Sequence, residues 1–362
     1  MKKILIITNN LEGRDGWSRV SLDFSEELKR QGNEILYLTS KEIGEPSKYF
    51  SNPLSPFFAA KIIEKAVSGF SPDVIHFMVE PYALCLPFLK TGGAKVFLTV
   101  HGTYSVIPAL FGFSFRKAIL SYLSKKYLNR LDGIVAVSNY TKNHLLKYYP
   151  DLRDKVRVIT NGIDLKKHKP IDYDQKQKNQ IKKVLFVGEV KKRKGILEAM
   201  EALNYYRKEF SDNFIYDIVG KAREEDEYRK DILRKAKEYG LENKVFFRGE
   251  ASDESLEDYY LRSDLLLMTS LNTGNYFEGF GLVFLEAAAK GTPGIGSRDS
   301  GCQEAILDGK TGYLAEWRDP KDIAEKMDLI LNKNAIQPKI CVEWAKQNDI
   351  SIKAKELINL YE

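Results

Sequence analysis

Between Phe277 and Lys290 the chain reads F-E-G-F-G-L-V-F-L-E-A-A-A-K. Glu278 and Glu286 bracket a Gly-Phe-Gly turn that leads into an apolar, alanine-rich run. A helix is expected over Leu282–Lys290, stopped by Gly291-Thr292-Pro293, because glycine and proline end helices. The N-terminus of a helix presents backbone N–H groups that attract anions. Gly279 and Gly281, on either side of an aromatic residue, favour a cradle rather than a mere turn. Ala287–Ala289 allow close packing, so Glu286 is expected to border a cleft rather than bulk water. One carboxylate before the helix and one inside it suit a ligand that is part phosphate and part polyhydroxyl. A nucleotide sugar has that chemistry.

The elements that would position these residues follow from the apolar pattern. Strands are expected at Lys3–Thr8, Glu34–Thr39, Val74–Phe77, Val96–Val100, Gly133–Val137 and Val156–Ile159, with helices at Ser18–Gln31 and Ala59–Ser68. Asp164–Lys183 is polar and reads as a linker. The alternation then restarts. Strands are expected at Val184–Val187, Phe214–Val219, Val245–Arg248 and Leu265–Thr269, and helices at Gly195–Lys208, Asp226–Tyr239 and Ser255–Leu261. Short apolar strands separated by helices predict parallel β-α-β units. The expected fold is α/β, with two doubly wound Rossmann-like domains facing a cleft, residues 1–168 and 169–345. A helix near 346–362 is expected to pack back on the first domain. Ligands bind at the carboxyl ends of such strands, which places Glu278 in the cleft, and His101 with it.

Composition narrows the class. At 362 residues the chain holds enough core for two domains. No apolar run reaches the roughly 18 residues of a membrane span. Met1–Thr8 is expected to be a first strand rather than a signal peptide. Cys85, Cys302 and Cys341 are odd in number and far apart, so neither a disulfide framework nor a zinc site is indicated, and a reducing cytoplasm fits. Residues 1–170 carry 25 Lys/Arg against 15 Asp/Glu, giving +10, and the remainder 31 against 35, giving −4. A basic N-terminal half points to an anionic partner or is a solvated surface. Ser114–Arg130, after the apolar Val106–Phe111, is basic and amphipathic. Such a helix either lies on an anionic membrane surface or packs its apolar face on the sheet. No nucleic acid is expected as a partner.

The E-G-F-G-L-V-F-L-E-A-A-A-K-G-T-P stretch resembles the signature of retaining family 4 glycosyltransferases, which have the two-domain GT-B fold. Val187-Gly188 through Lys194-Gly195 resembles that family's donor-diphosphate loop, and Asn161-Gly162-Ile163-Asp164 its N-G-V-D segment. Gly301 to Glu304 and Asp308 to Leu314 resemble its G-x-x-E and D-G-x-T-G-x-L stretches. Thr99–Gly102 resembles its V-H-G, and Val137–Asn139 its V-S-x. The resemblance implies that Glu278 binds sugar hydroxyls and Glu286 the ribose. The backbone at Phe280, Gly281 and Leu282 would face sugar and phosphates, and Lys194 would neutralise the leaving diphosphate. His101 would donate to a phosphate or the sugar, or orient the acceptor. His76 is read as structural or acceptor-side, and His144 and His168 as surface residues. Gly16 and Ser18 fit a tight turn into a helix N-cap, where the family has a loop near diphosphate and acceptor. Arg14, Asp15 and Trp17 of that loop are candidates for the acceptor. Base contacts are expected near Val219-Gly220 and Arg248-Gly249-Glu250. One departure stands out: Glu189 follows Gly188 where the family has arginine. A carboxylate there repels phosphate, so Lys191, Lys192 or Arg193 would have to supply the charge.

The implied reaction is hexose transfer with retention, from a nucleotide-diphosphate sugar to a glycan, lipid-linked or other hydroxyl acceptor. A retaining glycosidase needs paired carboxylates about 5–5.5 Å apart, which an eight-residue offset across a loop and helix does not offer. The resemblance points instead to front-face transfer through an oxocarbenium-like state, with the leaving phosphate taking the acceptor proton. Neither cofactor nor metal is expected, because the helix end and basic groups can replace a cation. Alternatives are a GT-B nucleotide-sugar epimerase or hydrolase, or a weakened nucleotide-sugar-binding protein. The expected location is the cytoplasm, with peripheral attachment to the inner membrane face left open.

Overall fold

The computed structural model describes residues 1–12, 16–52, 54–102, 115–173, 176, 179–273 and 276–362, apart from the side chains of 115–117. Arg14, Asp15 and the apolar Val106–Phe111 lie outside these residues. The chain divides into two compact units, Met1–Gly162 with Ile350–Glu362, and Ile163–Asp349. The second chain crossing therefore falls at 349/350, between two consecutive helices.

The first unit is a six-stranded parallel sheet: β1 (Lys3–Ile7), β2 (Glu34–Leu38), β3 (Val74–Phe77), β4 (Lys95–Val100), β5 (Gly133–Ala136) and β6 (Val156–Val158). The spatial order is β2-β1-β3-β4-β5-β6. β1 and β3 are buried along nearly their whole length, as strands covered on both faces must be. The helices are α1 (Gly16–Arg30), α2 (Ser40–Ile43), α3 (Lys48–Ser51), α4 (Ser55–Phe70), α5 (Phe115–Asn129) and α6 (Asn139–Tyr148). α1 starts before Ser18, which is buried within it rather than capping it. Val20, Phe24 and Leu28 recur every four residues and bury one stripe of α1. Ser138 caps α6 by accepting the Thr141 N–H at 3.0 Å, which gives the V-S-x segment a structural role. A 3-10 run, Glu80–Phe88, packs between α4 and α5. α5 buries Leu120, Leu123, Tyr127 and Leu128 in the core, so its apolar side covers the sheet.

The C-terminal helix (Ile350–Tyr361) packs on α1. It is tied to the sheet by His76. The His76 ring bonds Tyr361 Oη through Nδ1 at 2.5 Å and Thr99 Oγ1 through Nε2 at 2.8 Å. His76 is fully buried in the middle of the sheet. Burial, helped by the neighbouring His101, pushes its imidazole down to about 3. It is a structural residue.

The second unit is also a six-stranded parallel sheet, with a different strand order: β7 (Lys182–Val187), β8 (Phe214–Val219), β9 (Val245–Gly249), β10 (Leu265–Met268), β11 (Gly294–Ser297) and β12 (Gly312–Ala315). Its order is β12-β11-β10-β7-β8-β9, all parallel. Helices α7 (Ile196–Glu209), α8 (Glu227–Glu238), α9 (Asp253–Arg262), α10 (Val283–Ala289), α11 (Cys302–Ala305), α12 (Pro320–Leu331) and α13 (Pro338–Gln347) cover it. Strand order reverses between β7 and β10, and in open α/β sheets ligands bind at the carboxyl ends of the strands at such a switch point.

Candidate functional site

The loops after β7 and β10 meet at that reversal. The Leu271 N–H donates to the Arg193 carbonyl at 2.8 Å, and Thr269 Oγ1 to the Gly195 carbonyl at 2.9 Å. Gly195 has φ +72°, and a Cβ there would lie 1.9 Å from the Thr269 carbonyl oxygen. Only glycine lets these backbones approach so closely. The stitching brings Lys194 to Glu278 across 84 residues of sequence, with Nζ 2.6 Å from Oε2. Ser270 Oγ donates to the same oxygen at 3.2 Å, and Arg193 Nη1 lies 3.6 Å from it. Burial would raise the Glu278 carboxyl, but Lys194 and Arg193 outweigh it and hold it below the usual carboxylate range. The Glu278 carbonyl accepts the Gly301 N–H at 2.7 Å, and a Cβ on Gly301 would lie 1.9 Å from the Gly279 carbonyl oxygen. The G-x-x-E segment thus braces the Glu278 turn. Asp308 Oδ1 accepts the Leu314 N–H at 2.9 Å, so the later D-G-x-T-G-x-L stretch builds β12.

Glu189 projects from the same loop, half exposed, and is paired with Lys191 at 2.8 Å. Of the three cations proposed from sequence to offset it, Lys191 is taken up by Glu189, and Arg193 converges with Lys194. Gly188 donates its N–H to the Val219 carbonyl at 2.9 Å, and Gly220 to that of Gly249 at 2.7 Å. The three glycines line the carboxyl ends of β7, β8 and β9. Arg248 is held locally, with Nε 2.6 Å from Asp217 Oδ1 and its guanidinium 4.7 Å from the centre of the Phe246 ring. Phe280 is buried, Gly281 has φ +84°, and Leu282 begins the two turns of α10.

Glu286 is kept away from bulk water. It is only 3% exposed, because it faces α9 rather than open ground. Tyr260 Oη donates to its Oε2 at 2.6 Å, and His168 Nε2 lies 3.8 Å from Oε1. His168 is buried as well, contrary to its reading as a surface residue, and its Nδ1 is 2.6 Å from Glu257 Oε1. Glu257 also pairs with Lys290 at 2.5 Å. Burial pushes Glu257 up, yet its bonds to His168 and Lys290 hold it low. Tyr260 and Glu257 were not legible as site residues: each is one polar position on an amphipathic helix. His144 is half-buried on α6, and burial lowers its imidazole.

In the first unit, His101 is half-buried at the carboxyl end of β4. Its Nε2 donates to the Met78 carbonyl at 2.9 Å, and its N–H to Glu80 Oε1 at 2.7 Å. Glu80, which sequence reasoning passed over, is 2% exposed. Burial pushes its carboxyl up to about 7, against backbone N–H groups at Glu80, His101 and Gly102 that pull it down. Gly16 is exposed at the first residue of α1, and Trp17 packs against the core. The sequence also contains an Asp-x-Asp spacing, Asp172 and Asp174, in the linker. Asp172 is exposed, and Asp174 is outside the described residues.

Residues 169–349 match the family model described as glycosyl transferases group 1, and residues 14–167 match that of glycosyltransferase family 4. The chain is a group 1 glycosyltransferase. This glycosyltransferase is 29% identical over 199 residues to a D-inositol 3-phosphate glycosyltransferase of Streptomyces avermitilis. That match covers 52% of the chain and 42% of the relative, so it spans under half of the relative's length. An N-acetyl-alpha-D-glucosaminyl L-malate synthase of Bacillus anthracis is 24% identical over 95% of the chain and 91% of its own. Among solved structures, a Thermosynechococcus elongatus sucrose-phosphate synthase superposes with a TM-score of 0.80 at 19% identity, over 100% of this chain and 98% of that one. Anabaena Alr3699/HepE, in complex with UDP and glucose, gives 0.75 at 17% identity, over 99% of each chain. These likenesses establish the GT-B fold of the glycosyltransferase.

Proposed function

We propose that this glycosyltransferase moves a hexose, with retention, from a nucleotide-diphosphate sugar to a hydroxyl acceptor by front-face transfer. The observation that carries the reading is the Lys194–Glu278 pair with Arg193 beside it, at the strand-order reversal. Two cations there can take the charge that develops on a leaving diphosphate. Structure neighbours with bound UDP or UDP-glucose support a nucleotide-sugar donor. In the resting enzyme Lys194 is held by Glu278. When donor binds, its phosphates compete for Lys194, and the freed carboxylate accepts sugar hydroxyls. Arg193 supplies the cation that Glu189 displaces from the usual position. Glu286, steadied by Tyr260, binds the ribose. His101 donates to a phosphate or the sugar, or orients the acceptor. The acceptor is a glycan or a lipid-linked hydroxyl compound, and the reaction needs no metal.

Release of nucleoside diphosphate, with and without acceptor, tests the reading. Lys194→Ala is expected to lower kcat/KM by roughly 10²–10³, and Arg193→Ala to cost more than Lys191→Ala. If Lys194→Ala and Glu278→Ala leave turnover intact, the site is misassigned. Release that never depends on an acceptor favours a hydrolase, and donor binding without turnover favours the binding-protein reading that Glu189 keeps open. Chelation is expected to leave the rate unchanged; a loss restored by a divalent cation would bring Asp172 and Asp174 into the reaction. The anomeric configuration of the product, read by NMR, decides retention.

A further inference from the structure

One face of α4 does not behave like the outer face of a soluble helix. Its inner face is conventional, with Ala59, Ala60, Ile63 and Val67 buried in the core. Outward, Leu54 is 59% exposed, Phe57 43%, Phe58 61% and Ile62 39%. These positions follow helical spacing, so they share one side with the exposed Lys61 and Lys65. The patch continues onto the end of the 3-10 run. Phe57 meets Phe58 edge-on at 5.7 Å between centroids, and Phe88 at 5.9 Å. Lys61 Nζ lies 5.8 Å from the centre of the Phe57 ring. Large apolar residues scattered singly are ordinary, whereas a contiguous rimmed patch marks an interaction surface.

Charge identifies what the patch meets. α4, the 3-10 run and α5 form one layer, the run packing against both helices. Across these three elements the only acids are Glu64 and Glu80. Glu80 is buried, and Glu64 is paired with Lys61 at 2.9 Å. The layer also shows Lys125 and Lys126 to solvent, and Lys126 Nζ lies 4.9 Å from the ring centre of the exposed Tyr122. The unit as a whole has 24 Lys/Arg and 16 Asp/Glu, a balance of +8, while the other unit has 32 and 34, a balance of −2. Lysine is depleted in protein–protein interfaces but favoured beside anionic headgroups, where its stem lies along apolar groups and its charge reaches outward. We infer that the α4–α5 layer is a peripheral membrane-docking surface for an anionic lipid bilayer, with Phe57 and Phe58 entering the acyl boundary and the lysines meeting the headgroups. α5, whose apolar side is buried in the core, contributes charge rather than insertion. The inference does not depend on the sugar-transfer reading.

Co-sedimentation of the full chain with phosphatidylcholine vesicles, with and without phosphatidylglycerol, tests it. Binding is expected on the mixed vesicles, weakening as salt rises, and little on phosphatidylcholine alone. Phe57→Ser with Phe58→Ser should lower the partition coefficient at least about tenfold. Lys125→Gln with Lys126→Gln should lower it by roughly fivefold per lysine on mixed vesicles only. Circular dichroism of both variants, and their donor turnover in detergent-free buffer, should match the parent. Absence of binding overturns the inference, as does binding that neither pair alters. A concentration-dependent dimer in sedimentation velocity that Phe57→Ser with Phe58→Ser abolishes also overturns it, in favour of a protein interface.

Discussion

Two carboxylates eight residues apart meet different environments. Glu278 is held by cations that a bound anion can draw away, whereas Glu286 is enclosed by Tyr260 and His168. The sequence pattern marked both as ligand groups and kept Glu286 from bulk water, but it did not mark Tyr260 and His168 as the residues that enclose it, because they come from other parts of the chain. Tyr260 matters in this arrangement as a positioning residue. Tyr260→Phe removes the hydrogen bond to Oε2 and leaves a buried carboxylate less satisfied, at a cost of about 1–3 kcal/mol of stability. If Glu286 binds the ribose, the same change should raise the donor KM severalfold while kcat changes little. A stability loss with donor KM unmoved would assign Tyr260 to the core alone. Glu189 follows Gly188 where the family has arginine. Its pairing with Lys191 makes the local charge close to neutral and leaves Arg193 and Lys194 as the cations near Glu278.

At the scale of elements, apolar runs such as Lys3–Ile7 and Leu265–Met268 declared themselves as strands, because parallel strands buried on both faces are continuously apolar. β11 did not, for its residues are Gly294-Ile295-Gly296-Ser297, and glycine is poor in strands. Its glycines answer to Phe284: a Cβ on Gly294 would lie 2.4 Å from that ring, and one on Gly296 3.0 Å. Packing thus overrode propensity, and only the tertiary structure records it. Gly195 is the corresponding point in the site. Gly195→Ala forces both a left-handed backbone and a clash with the Thr269 carbonyl, at a cost of roughly 3 kcal/mol or more. It is expected to lower Tm and, by parting the β7 and β10 loops, to reduce turnover beyond what the fraction unfolded accounts for. Full activity in the folded fraction would show that the loops need no such stitch.

Across the whole molecule, two buried groups of the first unit set opposing pH responses. His76, held neutral and pushed down to about 3 from 6.5, stabilises the fold above its unfolded value, and that contribution is lost as pH falls. Glu80, pushed up to about 7 from 4.5, stabilises the fold when protonated, and that contribution is lost as pH rises. Between the two unfolded values the slopes offset each other. Glu80→Gln keeps an acceptor for the His101 N–H and removes one slope. Its stability should then rise with pH by about 1.4 kcal/mol per unit in that window, as read by urea unfolding across a pH series. A variant whose profile stays as flat as the parent's would refute the assignment. The sequence by itself determined the fold class, the two sheets, the turn between Glu278 and Glu286 and the basic bias of the first half, because these depend on local pattern and composition. The tertiary structure decided that Lys194 and Arg193 converge on Glu278, that Glu286 and His168 are enclosed, that His76 ties the C-terminal helix to the sheet, and that α4 leaves its aromatic face outside. Each of these depends on which distant residues share one space, and a linear pattern carries that only weakly.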